Sequence, residues 1–309
     1  MITGGSGFIG SHLAMAFIDD GHDVVVMDRK DRTKIPCTHA RVDITDLDSV
    51  KSHMKDVEYV FHMAGEPSVE ETMRKPVETS ITNVIGTLNM LEASRYSNVK
   101  KFIFASSAAV YGDSGTPPVN EVRENLNPLS PYGLQKIQSE QWCDFFSDTY
   151  GLGTVSLRYF NVYGPPHRPK RKYSAVIPRF IDAIINDRKP VIYGDGLQSR
   201  DFIYIDDVIE ANRLAMKSNI TKGIFNIGSK RSTNINDLLY AIYSLLGKEV
   251  QCTYTISHEG DIRHSLGDIT KAKTLLKFNP QYGLMSGLKK TIDWFIGESQ
   301  NEKELEVTA

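Results

Sequence analysis

The stretch Thr3-Gly4-Gly5-Ser6-Gly7-Phe8-Ile9-Gly10 sets glycines in a G-x-x-G-x-x-G spacing, between a short apolar start and a segment of helical periodicity. This spacing constrains the fold, because a strand must end in a turn tight enough to bring the start of a helix back over its tip. Gly4 makes the turn, Gly7 lets a pyrophosphate approach the backbone, and Gly10 lets the helix pack close to the sheet. The free N–H groups and positive end of that helix then face the phosphates.

Glycine turns also serve structure alone, so context decides. Val24 to Met27 reads as the next strand and ends at Asp28, where a carboxylate accepts both hydroxyls of an adenosine ribose. Asp28 repels a 2′-phosphate, so NAD is expected ahead of NADP even though Arg29 follows.

Only Met1-Ile2 precede the turn, so the first strand is expected to be clipped. Leu13, Ala14, Phe17 and Ile18 mark a helix from Ser11 to Asp20, ended by Gly21. A short strand near Ala40 to Val42, a helix from Asp48 to Met54 and the strand Val57 to His62 follow. Met63-Ala64-Gly65 lies at that strand's carboxyl end, where doubly wound sheets bind ligands. His62 ends an apolar strand without a relay partner in sequence, which favours a structural role. The pattern continues with a helix from Ile81 to Arg95 and a buried strand from Lys101 to Ala105.

This β-α-β alternation predicts an α/β fold: a Rossmann doubly wound parallel sheet with a smaller α/β substrate-binding lobe. Residues 1–160 are assigned to the NAD-binding domain with a returning segment near 203–218, and 161–309 mainly to the smaller lobe. The proline-rich, basic run from Gly164 to Lys172 reads as a loop between them, and the tail from Glu298 to Ala309 as disordered. A net charge of −2 argues against a general nucleic-acid surface. Cys37, Cys143 and Cys252 are scattered and match no metal spacing, so no metal is expected and a reducing cytoplasm fits. No apolar run reaches membrane-spanning length.

Chemistry is expected after the strand ending at Ser107. Ser130 and Pro131 start a helix as N-cap and first residue, and Tyr132 and Lys136 share one of its faces. Tyrosine is too weak an acid to serve as a base unaided at neutral pH. A nearby ammonium and a positively charged nicotinamide stabilise its phenolate. Tyr132 then accepts a hydroxyl proton as hydride leaves the same carbon, Ser107 hydrogen-bonds the reacting oxygen, and Lys136 also holds the nicotinamide ribose.

With these residues in order, the chain resembles the extended short-chain dehydrogenase/reductases, and within them the UDP-hexose 4-epimerases. The likeness runs through the glycine turn, Asp28, Asp43-Ile44, His62-Met63-Ala64-Gly65, Asn83, Ser107, Tyr132-x-x-x-Lys136 and Arg158 to Gly164. It continues through Gly194-Asp195-Gly196, Arg200-Asp201-Phe202 and Gly260 to Arg263. The resemblance implies that NAD is held by Gly4, Gly7, Phe8, Ile9, Gly10, Asp28, Asp43, Ile44, Met63, Ala64, Gly65 and Asn83, with Tyr132 and Lys136. It implies that Asn161, Val176, Arg200, Asp261 and Arg263 face the diphosphate of a UDP-sugar, with Ser107 and Ser265 at the sugar. Gly65 departs from the family's usual alanine, and His258 stands where many relatives carry arginine.

Related dehydratases carry an Asp-Glu pair just after the active-site hydroxyl residue, and related decarboxylases tend to hold a glutamate at the second place. Here these are Ala108 and Ala109, whose methyl groups cannot move protons. The implied reaction is therefore 4-epimerisation through a transient 4-keto sugar. Ser265 leaves space where a tyrosine marks relatives restricted to UDP-glucose and UDP-galactose, so UDP-GlcNAc/UDP-GalNAc join UDP-Glc/UDP-Gal as expected substrates. The alternatives are a UDP-glucuronate 4-epimerase, with a carboxylate partner from Arg168 to Lys172, and an idle NAD-binding sensor or scaffold. A homodimer is expected through the helices Asn83–Ala93 and Tyr132–Tyr150, with Leu88, Leu91, Trp142 and Phe146 on their apolar faces.

Overall fold

In the computed structural model, residues 1–30, 35–113, 117–122, 126–165, 175–257 and 262–307 are described, with the backbone alone from 298. In chain order, β1 (Ile2–Thr3) leads into α1 (Phe8–Asp19), β2 (Val25–Asp28), β3 (Thr38–Arg41), α2 (Leu47–Ser52) and β4 (Tyr59–His62). Next come α3 (Val69–Arg74), α4 (Pro76–Ser80), a π-helical turn (Ile81–Ile85) and α5 (Gly86–Tyr96). They are followed by β5 (Lys101–Ser107), a 3-10 turn (Ala108–Val110), α6 (Pro131–Tyr150) and β6 (Thr154–Tyr159). The second half holds β7 (Asn161–Tyr163), α7 (Val176–Ile185), β8 (Val191–Tyr193), β9 (Ser199–Tyr204), α8 (Ile205–Lys217) and β10 (Lys222–Ile227). It ends with β11 (Ser232–Asn234), α9 (Ile235–Leu246), β12 (Thr253–Thr255), a π turn (Ala272–Leu276) and α10 (Leu284–Val307).

The large sheet runs β10-β6-β5-β4-β1-β2-β3 with every pairing parallel. Parallel strands need crossovers, and the helices that supply them cover both faces. Leu13, Ala14 and Phe17 of α1 share one apolar layer with Val208, Ile209 and Ala211 of α8. Met90 and Leu91 of α5 share the other with Cys143 and Phe146 of α6. In β5, an interior strand, Phe102, Ile103 and Phe104 are buried, each contributing about 1.5–3 kcal/mol. Lys101 is buried too, and its Nζ donates to the Ala215 and Ser218 carbonyls at the end of α8 (2.8 and 2.7 Å), where the helix dipole favours a cation.

Strand order reverses between β1 and β4, which opens a crevice at their carboxyl ends. β1 pairs Ile2 and Thr3 with Val26 and Met27 on one side and Phe61 and His62 on the other. Met1 extends the ladder, its amine donating to the Tyr59 carbonyl (2.7 Å) and its carbonyl accepting from Phe61 N–H (2.9 Å). The chain returns to the large sheet through α8 and β10. Smaller sheets, β11-β9-β7 and β12-β8, carry the rest of the second half.

The structure corrects three expectations. α1 begins at Phe8, three residues before the apolar periodicity signals it, because the turn itself is its N-terminus. The tail is helical to Val307: buried Leu288, Ile292 and Phe295 anchor α10, and no proline follows to stop it. Leu91 and Phe146 are core residues, so they offer no face to a second subunit. Among the described residues, no helix is long and apolar enough to cross a membrane.

Candidate active site

The glycine turn forms a cradle over the crevice. Gly4 has φ +64°, and a Cβ there would lie 2.8 Å from Ala64 N and Cα, while one on Gly10 would lie 2.4 Å from the Gly4 carbonyl oxygen. Gly7 N–H donates to that same oxygen (2.9 Å), and Gly7 caps α1 without a side-chain partner. The first turn of α1, which includes Phe8 and Ile9, carries no acidic residue. Asp28 stands beside the cradle, accepting from Ser6 N–H (3.0 Å) and Lys30 N–H (3.1 Å). A rim with bare backbone, helix N–H groups and a strand-end carboxylate fits a dinucleotide. Gly5 escapes the motif reading but is equally constrained, since its Cβ would meet Val26 at 2.6 Å.

The cradle is tied to the chemistry by a buried polar chain. Thr87 Oγ1 donates to the Asn83 carbonyl (2.7 Å), so it accepts from His62 Nε2–H (3.0 Å), which leaves His62 Nδ1 to accept from Thr3 Oγ1 (2.8 Å). Thr3 Oγ1 in turn accepts from Ala64 N–H (3.1 Å). Burial and the nearby Lys136 charge pull His62 down to about 3, so it serves as a neutral strut.

Asn83, on the π turn, uses its side chain to hold the loop after β4. Its Oδ1 accepts from Glu66 N–H (2.7 Å), and its Nδ2 donates to the Glu66 carbonyl (3.1 Å) and Gln135 Oε1 (2.7 Å). Asp43 is exposed and accepts from Thr45, whereas the Ile44 side chain is buried against Gly86. Met63 and Ala64 are half-buried beside Gly65 at the crevice.

Ser130 Oγ accepts from Gly133 N–H (3.2 Å) and Pro131 opens α6, as the sequence predicts. That start brings Tyr132 close enough to Ser107 for the serine side chain to lower its phenol. Ser107 also ends β5 and caps the 3-10 turn, accepting from Ala109 N–H (3.1 Å). One turn into α6, Lys136 Nζ donates to the Ala105 carbonyl (2.7 Å) and lies 5.7 Å from the Tyr132 ring centre. Burial pulls Lys136 down to about 8, opposed by Glu140. Burial raises the Tyr132 phenol; the Ser107 side chain lowers it and the Glu66 charge raises it. Beneath the site, Glu140 makes a buried pair with Arg158 (2.7 and 2.8 Å), and Arg158 Nη1 donates to Tyr111 Oη (2.9 Å).

In the second half, Asn161, Arg200, Arg263 and Ser265 lie along β9. Asn161 is in register with Phe202, and its Nδ2 donates to the Asp201 carbonyl (3.3 Å). Ser199 accepts from Ser265 N–H (3.0 Å) and donates to the Arg263 carbonyl (2.9 Å), which sets Ser265 and Arg263 beside Arg200. Arg263 grips Asp195 through two 2.8 Å bonds and holds that carboxyl at about 2. Val176 starts α7. Asp261, His258 and the basic run Arg168 to Lys172 lie outside the described residues.

A family model described as the NAD dependent epimerase/dehydratase family matches residues 1–228. The chain belongs to this family. A putative UDP-glucose 4-epimerase of Methanocaldococcus jannaschii is 38% identical over 301 residues, covering 95% of this chain and 97% of that protein. A UDP-N-acetyl-alpha-D-glucosaminuronate decarboxylase of Bacillus cytotoxicus is 35% identical over 316 residues, covering 96% and 97%. The solved UDP-N-acetylglucosamine 4-epimerase of Methanobrevibacter ruminantium, in complex with UDP-N-acetylmuramic acid, superposes with a TM-score of 0.91 at 39% identity, covering 96% of this chain and 97% of that one. Membership of an NAD-dependent family agrees with the cradle and Asp28. Relatives of more than one activity leave the reaction to be read from the residues around Tyr132.

Proposed function

We propose that the chain is an NAD-dependent UDP-hexose 4-epimerase. The observation that carries this reading is the meeting of Ser107, Tyr132 and Lys136 at the end of β5, with only Ala108 and Ala109 where a second acid or base would be needed. NAD is held by the glycine cradle, Asp28 and the end of β4, and when bound it supplies a reversible hydride acceptor with a positively charged ring. Tyr132 takes the proton of the sugar 4-hydroxyl and later returns it. Ser107 hydrogen-bonds the same oxygen, and the Lys136 ammonium stabilises the phenolate. Alanines beside this oxygen offer no group for eliminating water or assisting loss of a carboxylate, which disfavours both other reactions of related enzymes.

Asn161, Val176, Arg200, Asp261 and Arg263 are assigned to the UDP portion. Ser265, half-buried beside Ser199, is assigned to the sugar, where its small side chain admits a 2-N-acetyl group as well as a hydroxyl. The functional unit is a cytoplasmic homodimer. Its support is an apolar surface on the π turn and α6, where Ile81, Ile85, Leu134, Trp142 and Phe145 are exposed in one subunit. Incubating purified protein with UDP-GlcNAc and with UDP-glucose, and resolving the 4-epimers, tests the reading. No 4-epimer from either donor, with a dehydrated product from these or a decarboxylated product from UDP-glucuronate, overturns it.

A further inference from the structure

We infer that Asn226 is a positioning residue, tying the segment 263–268, which carries Ser265, to the two elements that carry the proton-transfer residues. The inference rests on the 4-epimerase reading and concerns how that same site keeps its sugar in register. Asn226 lies on β10, is wholly buried, and is paired in register with Arg158 on β6. Its Nδ2 donates to the Val119 and Asp268 carbonyls (3.0 and 3.2 Å), and its Oδ1 accepts from Tyr111 Oη (2.7 Å). Both carbonyls can only accept, so the amide has a single orientation and Tyr111 must donate to Oδ1. Tyr111 Oη is then left to accept from Arg158 Nη1 (2.9 Å). Burial pushes the Tyr111 phenol up to about 12, against the pull of the Arg158 charge, so it keeps the proton this chain of bonds needs.

At one end of this chain of bonds, Arg158 pairs with Glu140, one turn beyond Lys136 on α6. Glu140 Oε1 also accepts from Ser106 Oγ, the neighbour of Ser107 at the end of β5. One carboxylate therefore holds both elements that carry Ser107, Tyr132 and Lys136. At the other end, Val119 N–H donates to the Leu266 carbonyl (2.8 Å) and Asp268 N–H donates to the Val119 carbonyl (2.9 Å). Asn226 clamps both partners of this pairing. The opposite edge of the segment is bonded to β9, with Ser265 N–H donating to the Ser199 carbonyl (3.0 Å) and Gly267 N–H to Asp201 Oδ2 (3.3 Å). Ser265 thus sits on a strap fastened on one side to β9 and on the other, through Asn226, to the proton-transfer residues. Any slide of the strap would strand a buried polar group, so the bonds fix its register. Arg263 is held separately by its two bonds to Asp195, so the diphosphate contact assigned to it does not depend on Asn226.

The test uses NAD-loaded protein and two variants. Asn226→Leu keeps the bulk and removes the amide, and Tyr111→Phe keeps the ring and cuts the chain of bonds one link earlier. The measurements are kcat per bound NAD with UDP-GlcNAc and UDP-glucose, UDP affinity by calorimetry, reduced nicotinamide by absorbance, and hydrogen exchange of the Val119 and Asp268 amides. In Asn226→Leu, kcat is expected to fall by about ten- to a hundredfold while UDP affinity changes by less than about threefold, because a small displacement of the reacting group costs rate rather than diphosphate binding. A 4-keto sugar that escapes leaves its hydride on the cofactor and its hydroxyl proton with Tyr132, so reduced nicotinamide is expected to build up, one for each sugar lost. Tyr111→Phe is expected to shift the same quantities in the same direction, and the double variant to be no worse than Asn226→Leu, since links in series are lost once. An unchanged kcat, a UDP affinity that falls in step with it, or additive losses in the double variant overturns the inference. Should Asn226→Leu fail to fold, Tyr111→Phe decides by the same rate and affinity criteria. A wild type that forms no 4-epimer overturns the proposed function instead, and amide exchange then judges Asn226: faster exchange at Val119 and Asp268 in the variants supports its role, and unchanged protection there overturns it.

Discussion

The Lys136 ammonium lies 5.7 Å from the centre of the Tyr132 ring, one helical turn away on the same face of α6. Burial pulls Lys136 from its usual range to about 8, so the ammonium is present below that pH and lost above it. In the proposed reaction Tyr132 needs this charge to become a phenolate. The kcat/KM of the free enzyme is expected to fall as pH rises through about 8, and Lys136→Met is expected to remove this limb together with most turnover. A pH–rate profile checks this, and a rate still climbing at pH 10 contradicts it.

Tyr132→Phe removes only the hydroxyl and leaves α6 and the cradle in place. Turnover is expected to drop by about 10²–10⁴-fold, the usual worth of a positioned acid–base group. NAD affinity should change little. Rate assays beside cofactor titration separate the two, and loss of both in proportion would indicate a structural role for the ring.

Gly10→Ala tests the cradle. The new Cβ would sit 2.4 Å from the Gly4 carbonyl oxygen, which also accepts from Gly7 N–H, so the turn must open or α1 must shift. Cofactor occupancy after purification is expected to fall by at least about tenfold, since each 1.4 kcal/mol of distortion costs that factor. Undiminished occupancy would mean that the turn bends freely.

Sequence patterning revealed the alternating fold, the α6 cap at Ser130 and the Tyr132–Lys136 pair because each follows from local spacing. What escaped it depends on long-range contact. Gly5 is required by Val26 across the sheet, and Asn83 and Gln135 draw the loop after β4 onto α6. The apolar pattern of α5 and α6 could not distinguish core from interface. Packing separates core from surface: Leu91 and Phe146 face inward, whereas Trp142 and Phe145 face outward.

His62 predicts how the fold responds to acid. Its folded value of about 3 lies below the unfolded value near 6.5, so the unfolded chain binds the proton first as pH falls. The stability contribution is full above about pH 6.5 and is lost progressively toward pH 3. Denaturant midpoints for wild type should fall through this window, with part of the slope missing in His62→Asn. Equal slopes in the two proteins would assign acid sensitivity elsewhere.

Glu140 couples stability to chemistry. It pairs with Arg158 through two bonds, with both side chains almost wholly buried, and its charge opposes the fall of Lys136. Glu140→Gln strands a buried guanidinium, and breaking such a pair costs about 3–5 kcal/mol. It also removes support for the Lys136 ammonium, so the basic limb of the rate profile is expected to move below 8. Replacing both partners, as in Glu140→Gln with Arg158→Met, removes the stranded charge and should recover part of the stability while leaving the limb displaced. If stability and the limb recovered together, Glu140 would act on Lys136 only by holding α6 in place; if the limb stays low in the stabilised double variant, its charge acts directly.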